Sequence, residues 1–195
     1  MESSLQFRTM RSSTHQPGNT SAVCPRSNNI NWTPPTNGAL KLNVDAHPCG
    51  DGRWGLGIVL RTEEGKCVGA ATAVVRGSSE ILEGEASGLA AAIDFAKAFD
   101  DKQIVIEMDS LTIVEAVKKK EYGRSYWGRL VRSCGSLINT NPQLSIRWTK
   151  RAGNQASHTL ANWAGSEPNK AWTNETPNCI MDIIQKEISF CNFPP

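Results

Sequence analysis

Apolar and polar side chains alternate over residues 40–45, the first regular segment of the chain. Leu40, Leu42 and Val44 fall on one side, and polar residues ending in Asp45 fall on the other. This period of two predicts a β-strand with one face in a core. Asp45 is either a plain cap of the following loop or a functional acid, because a buried carboxylate needs a partner, a proton or a metal.

Two more strands follow after short turns that contain glycine. They are predicted over residues 54–60 and 67–75, so the first three strands form an antiparallel meander. Gly55 and Gly57 are unfavourable inside a strand. They predict either a bulge or the close approach of another part of the chain.

A helix is predicted over residues 80–99, with Ser78 or Ser79 as its N-cap. Glu85 lies at the margin of its apolar stripe, whereas Glu83 and Asp94 are expected on the solvated side. The residues of the buried stripe are Leu82, Leu89, Ile93 and Ala96.

The strand predicted over residues 103–109 follows this helix, so it runs parallel to an earlier strand inside the sheet. It places Asp109 at its carboxyl end, where parallel sheets locate their sites, and Ser110 where it can cap the next helix. A simple capping role for Asp109 is the alternative.

The remaining pattern predicts helices over residues 111–119 and 126–137, a strand over 144–148 and a basic loop over 150–154. A helix over 155–164 carries His158 in its first turns, and an amphipathic segment covers 179–189. The expected fold is α/β, with a mixed five-stranded sheet of three antiparallel strands and two parallel additions, flanked by helices. Residues 1–30 are expected to be a disordered leader to a domain of residues 31–190.

Composition limits the class of protein. With 195 residues, 39% hydrophobic and 21% charged, the chain suits a single globular core. Its net charge of +2 permits a nucleic-acid partner. The start lacks a secretory signal and no apolar run has membrane length, so we expect a nuclear or cytoplasmic protein without a membrane partner. Six cysteines without paired spacing are expected to be reduced thiols.

The predicted topology allows Asp45, Glu85 and Asp109 to meet at one place. Two carboxylates about 4 Å apart repel by about 4 kcal/mol at an effective dielectric constant of about 20, so three of them call for cations. Oxygen ligands select Mg²⁺ or Mn²⁺. Such a cluster suits two-metal hydrolysis of a phosphodiester.

Four motifs and a late Trp172 carry a family resemblance. The motifs are W-x-P-P-x-x-G-x-L-K-L-N-V-D at residues 32–45, G-E-A at 84–86, E-x-D-S at 107–110 and R-x-x-N-x-x-x-H-x-L-A at 151–161. Over about residues 32–185 the chain resembles the type 1 ribonuclease H domain of plants, the reverse-transcriptase-like module at the end of non-LTR retroelement polyproteins.

The resemblance implies a ribonuclease H-like fold and cleavage of the RNA strand of an RNA–DNA hybrid, leaving 5′-phosphate and 3′-hydroxyl ends. It implies that Asp45, Glu85 and Asp109 bind Mg²⁺, with Mn²⁺ as an alternative. No small-molecule cofactor and a monomer are expected.

The chain departs from the family pattern at three points. His158 stands at the fourth catalytic position, where bacterial relatives have Asp, and neutral imidazole is a poorer ligand for Mg²⁺. We therefore expect weaker binding of one ion or a relative preference for Mn²⁺. Ala46 replaces the usual Gly, and residues 148–154 lack the loop histidine of bacterial relatives.

Two groups of residues are candidates for contacts with nucleic acid. Ser110 and Asn154 are expected near the metals, and a basic group lies further away, where bacterial relatives have a basic handle. That group is Lys118, Lys119, Lys120 and Arg124. An ordinary solvated helix face is the alternative for the lysine run. Tyr126 and Trp127 could stack on bases or sugars beside these contacts.

Three other functions remain open from the sequence. The fold could serve as a nucleic-acid-binding module that has lost useful catalysis, a reading that His158 and Ala46 favour. It could also be an interaction scaffold, or an exonuclease, although the further acidic motif that an exonuclease would need is not found.

Overall fold

The computed structural model of the protein describes residues 8–9, 32–36 and 38–191. Within them, seven strands form one sheet in the order β1-β7-β4-β3-β2-β5-β6. The strands are β1 (Arg8–Thr9), β2 (Leu40–Gly50), β3 (Arg53–Arg61), β4 (Cys67–Arg76), β5 (Ile104–Met108), β6 (Leu144–Trp148) and β7 (Lys170–Thr173). The helices are α1 (Ile81–Ala96), α2 (Leu111–Lys119), α3 (Tyr126–Thr140), α4 (Gln155–Trp163) and α5 (Asn178–Cys191).

The five central strands pair as the sequence predicts. β2, β3 and β4 form the antiparallel meander, and β5 and β6 extend the sheet in parallel beyond β2. Leu42 of β2 lies opposite Ile106 of β5 in this register. Because β2 and β5 are parallel, Asp45 and Asp109 come to the same end of the sheet, towards which both strands run.

The expected count of five strands is too low, because the sheet continues at the β4 edge. β7 pairs antiparallel with β4, and β1 pairs parallel with β7. β7 has only four residues, which is too short for a clear period of two. Apart from β1, the leader predicted over residues 1–30 lies outside the described residues.

The main core fills one face of the sheet. Leu42 and Val44 of β2 are fully buried there with Leu89 of α1 and Ile113 of α2. Helix α3 contributes Val131 to the same cluster. This face corresponds to the apolar side predicted for the first strand.

The polar side of β2 is also covered, which the alternating pattern did not indicate. Asn43 and Asp45 are buried beneath α4 and α5, which pack on the second face of the sheet. A Cβ atom on Gly57 would collide with the backbone of Ser157 and Ala161. Gly57 therefore marks the close approach of a helix, one of the two possibilities predicted for this strand.

The start of α1 differs from the prediction. Glu80 occupies the N-cap position, and neither Ser78 nor Ser79 does. Instead, the backbone N–H of Ser78 donates to Oε1 of Glu83 at 3.0 Å, and the Ser78 hydroxyl donates to the same carboxylate. Glu83 is consequently buried, and its expected place on the solvated side is wrong.

Two smaller expectations concern the cysteines and the end of the first helix. The five described cysteines are all free thiols. The helix predicted over residues 80–99 ends at Ala96 and continues as the 3₁₀ turn Lys97–Phe99. Among the described residues, no helix combines the length and apolar character that a membrane span requires.

Candidate metal centre

Three acidic side chains converge at the end of the sheet towards which β2 and β5 run. Asp45 lies within β2, Glu85 in the first turns of α1, and Asp109 directly after β5. One carboxylate oxygen from each lies within 4.8 Å of the others. The structure therefore brings together the three acids that the sequence singles out.

The cluster is largely buried, with Asp109 half-buried, and it has unused hydrogen-bond acceptors. Asp45 is 0% exposed and Glu85 is 8% exposed. Among the described atoms, Oδ1 of Asp45 and Oε2 of Glu85 are buried without a hydrogen-bond partner. Buried oxygens without a donor are costly, and a hard cation would supply what these lack. The donor set fits Mg²⁺ or Mn²⁺.

Burial and mutual repulsion change the acidity of the cluster. Burial, followed by the charge of Asp109, raises the pKa of Asp45 to about 6. The pKa of Glu85 is raised to about 8, mainly by burial and to a smaller extent by the charges of Asp45 and Asp109. Without a cation, the cluster therefore retains a proton on Glu85 at neutral pH.

His158 contacts the cluster from α4. Its Nδ1 lies 2.6 Å from Oδ2 of Asp45, the oxygen that is not orphaned. This contact lowers the pKa of Asp45, against the larger effects of burial and Asp109. The structure thus places the fourth predicted site residue beside the first.

Arg151 also belongs to the site, although the sequence pattern places it only in a basic loop. It lies in the 3₁₀ turn Arg151–Asn154. Its Nη1 is 3.2 Å from Oδ2 of Asp109, and its Nη2 is 3.0 Å from each ring nitrogen of His158. If Nδ1 of His158 donates to Asp45, only Nε2 can accept from Arg151. Its place at the start of the R-x-x-N motif was the available signal.

Asn154 lies beneath the cluster and not on the surface where a nucleotide would bind. It is 1% exposed, and its Nδ2 donates to the Val44 carbonyl at 3.0 Å and to Oδ1 of Asp109 at 3.4 Å. A nucleotide contact would require breaking these bonds. Asn154 therefore positions Asp109, which differs from the predicted contact with nucleic acid.

The other predicted contacts with nucleic acid are more accessible. Ser110 is half-buried next to Asp109, and its hydroxyl makes no capping bond to α2. Lys118, Lys119 and Lys120 are exposed at the far end of α2, about 13 Å away at 1.5 Å rise per residue, and Arg124 is exposed beyond them. Lys119 is bound to Glu115 at 2.9 Å. Tyr126 is exposed, whereas Trp127 packs against the core.

Two aromatic residues near the cluster were not predicted to belong to the site. The His47 ring lies 5.9 Å from that of His158, centroid to centroid, and Trp148 donates from Nε1 to the Asp109 carbonyl at 3.1 Å. The Trp148 indole is 43% exposed. His47 follows the predicted strand over residues 40–45 and lies within β2, and Trp148 ends β6. These positions near the acids are the only signal that the sequence offers for the two residues.

The order of strands and helices is that of a ribonuclease H-like fold, which solved structures of RNase H1 proteins share. RNase H1 from the halophilic archaeon Halobacterium salinarum is 23% identical, with a TM-score of 0.58, and the match covers 67% of this chain and 99% of that one. LC11-RNase H1, isolated from compost by a metagenomic approach, is 19% identical with a TM-score of 0.59, covering 67% and 97%. The structure of LC11-RNase H1 in complex with an RNA/DNA hybrid is 19% identical with a TM-score of 0.57, covering 66% and 97%.

The chain itself belongs to the reverse transcriptase-like family, whose sequence profile matches residues 43–164. This range includes all three acids, Arg151 and His158. No match is found among the curated proteins. The plant and retroelement origin implied by the motifs stays a prediction.

Proposed function

We propose that the protein is a metal-dependent endoribonuclease that cleaves the RNA strand of RNA–DNA hybrids. The observation that carries the proposal is the cluster of Asp45, Glu85 and Asp109, in which two buried carboxylate oxygens have no donor among the described residues. The hybrid bound to LC11-RNase H1, which has a similar fold, supports the class of substrate.

Each residue of the site has a physical task under this proposal. Asp45, Glu85 and Asp109 would hold Mg²⁺ or Mn²⁺, which when bound supplies an activated water and stabilises the leaving oxygen. Asn154 orients Asp109 by donating to Oδ1. His158 holds the second oxygen of Asp45, so that Oδ1 points to the cation site.

Substrate binding would use groups outside the cluster. The Ser110 hydroxyl lies beside Asp109 and can contact a 2′-hydroxyl in the shallow minor groove of the hybrid. The exposed lysines at the end of α2 can bind backbone phosphates further along the duplex. This division separates recognition of RNA from general attraction to nucleic acid.

A cleavage assay with a labelled hybrid tests the proposal. Wild-type protein should release fragments with 5′-phosphate ends in Mg²⁺ or Mn²⁺, and Asp109→Asn should lower the rate by at least about 100-fold because it removes a ligand charge. Asp94→Asn, at a half-buried position of α1 outside the cluster, is the matched control and should cleave like wild type. Equal rates for Asp109→Asn and wild type would exclude the cluster as the catalytic centre.

One observation favours a second candidate function, a nucleic-acid-binding module with little catalysis. The guanidinium of Arg151 already pairs with Asp109 at 3.2 Å and reduces the negative charge that would attract a cation. In the same assay, this alternative predicts binding of the hybrid with a normal salt dependence and no fragments in either metal.

A further inference from the structure

A continuous path of buried polar groups joins the C-terminal helix to the acidic cluster. It starts at Glu187 on α5, passes through Arg61 on β3 and Asn43 on β2, and ends at Asn154 and Asp109. Glu187 is 2% exposed and Arg61 is 0% exposed. Neither residue can contact a substrate.

The first part of the path fixes the Arg61 guanidinium. Nη1 donates to the Glu187 carboxylate, and Nη2 donates to Oδ1 of Asn43 at 3.1 Å. The guanidinium also stacks on the Trp32 indole, 3.9 Å from the ring centroid. A buried arginine held on three sides has one orientation.

The path also determines which way both asparagine amides point. Arg61 and the Trp32 indole, whose Nε1 lies 3.1 Å from Oδ1 of Asn43, can only donate, so the oxygen of Asn43 must face them. Nδ2 of Asn43 then donates to Oδ1 of Asn154 at 3.2 Å, and the Ser157 hydroxyl donates to the same oxygen at 2.7 Å. Nδ2 of Asn154 is thereby kept on the opposite side, where it donates to the Val44 carbonyl and to Asp109. A flip of either amide would bring two donors or two acceptors together.

We propose that Arg61 and Asn43 are positioning residues for the cation site, and that Glu187 makes this positioning depend on the docking of α5. Glu187 fixes Arg61, and Arg61 with Trp32 sets the amide of Asn43. Asn43, together with the Val44 carbonyl, then sets the amide of Asn154, which holds Oδ1 of Asp109. The inference rests on the proposed function, because it assigns these residues to the same acidic site.

The test compares two double variants that each remove a buried ion pair from the same face of the sheet. Arg61→Met with Glu187→Met removes one of the two donors to Oδ1 of Asn43, leaving Nε1 of Trp32, and leaves no unpaired charge. Lys41→Met with Glu107→Met is the matched control, since that pair, at 2.7 Å, makes no described hydrogen bond to Asn43 or Asn154. Calorimetric titration with Mn²⁺ then measures cation affinity without substrate.

We expect the Arg61/Glu187 double variant to bind Mn²⁺ about tenfold more weakly than wild type, the lower end of the effect of outer residues on metal sites. The control should bind like wild type. In the cleavage assay, the first variant should lose kcat with unchanged KM for the hybrid, because the substituted groups are buried away from it.

The possible outcomes separate this inference from the proposed function. Equal Mn²⁺ affinities for the two double variants would overturn the positioning role and leave the nuclease proposal standing. If the three proteins show the expected order of Mn²⁺ affinities but the wild type cleaves no hybrid, the positioning role is supported and the nuclease proposal is contradicted. A wild type that does not bind Mn²⁺ would overturn both.

A measurement on the wild type keeps the inference testable if a variant does not fold. Hydrogen exchange followed by NMR should find the side-chain amide protons of Asn43 and Asn154 protected, because each amide is fixed within the path. Exchange as fast as that of exposed asparagines would show that the amides are not held, and it would overturn the inference.

Discussion

Glu85 is the residue whose environment opposes its charge most directly. Its carboxylate is buried, faces Asp45 and Asp109, and has one oxygen without a donor. The pKa of Glu85 is consequently raised from 4.5 to about 8 in the folded protein. Between these two pH values the folded protein holds a proton that the unfolded chain has released.

This difference predicts how stability changes with pH in the absence of divalent cations. Because the folded state binds more protons, the free energy of unfolding should fall as the pH rises from about 5 to about 8, by on the order of a few kcal/mol. Urea unfolding in EDTA at several pH values measures it. Glu85→Gln stays neutral and should remove most of the decline above about pH 7, where Asp45, with its pKa of about 6, is already almost fully ionised.

Glu115→Gln provides the control for that experiment. Glu115 is an exposed helical glutamate paired with Lys119, so its substitution should leave the pH profile as in wild type. A decline that persists unchanged in Glu85→Gln would mean that Glu85 is ionised in the folded protein and that the cluster tolerates three negative charges.

Residues that carry the chemistry differ in how far the sequence reveals them. Asp45 and Asp109 could be predicted because the sequence pattern places each at the end of a predicted strand and the carboxyl ends of parallel strands lie together, although β2 itself continues to Gly50. Arg151 was not assigned to the site, and Asn154 was predicted to contact nucleic acid, because the directions of both side chains depend on a short 3₁₀ turn that packs against β2 and Asp109. The burial of Glu83 was not predicted either, because it depends on Ser78 folding back onto the Glu83 carboxylate, which helical periodicity does not indicate.

At the scale of elements, helix α4 sets the distance between His158 and Asp45. The backbone of α4 rests directly on Gly57, which pairs with Asp45 across β2 and β3. The sequence marked Gly57 as unusual for a strand, but only the packed structure identifies α4 as the cause. The packing of α4 also explains why β2, which has polar residues on one side, is buried on both faces.

This packing predicts opposite effects for two glycine substitutions. Gly57→Ala should destabilise the protein by about 1–3 kcal/mol, because the new methyl group meets the α4 backbone at Ser157 and Ala161. Gly88→Ala in α1 should be neutral or stabilising by up to about 1 kcal/mol, since its Cβ finds Val44 at an ordinary 3.4 Å. Thermal unfolding checks both, and equal effects of the two variants would contradict the close approach of α4.

Across the whole molecule, charge is unevenly placed although the net charge is only +2. The three acids of the cluster lie together at one end of the sheet. Exposed basic residues lie at the end of α2 and on the exposed side of α3. Arg129 and Arg132 lie over the rings of Tyr126 and Tyr122 there, at 5.9 and 5.7 Å from the centroids. Composition alone could not reveal this separation, because it depends on where the helices end.

This distribution predicts that one group of lysines governs binding of a hybrid. Replacing Lys118, Lys119 and Lys120 by Gln should weaken binding and reduce the slope of log K against log salt concentration by about one for each lysine that neutralises a phosphate, while kcat changes little. The control is a triple variant with the same change of charge. It replaces by Gln three exposed lysines at the end of the sheet away from the acids, Lys66, Lys97 and Lys102. Binding titrations from low to high salt compare the two. Equal slopes would mean that the α2 lysines are an ordinary solvated face, because net charge and not position would then determine the attraction.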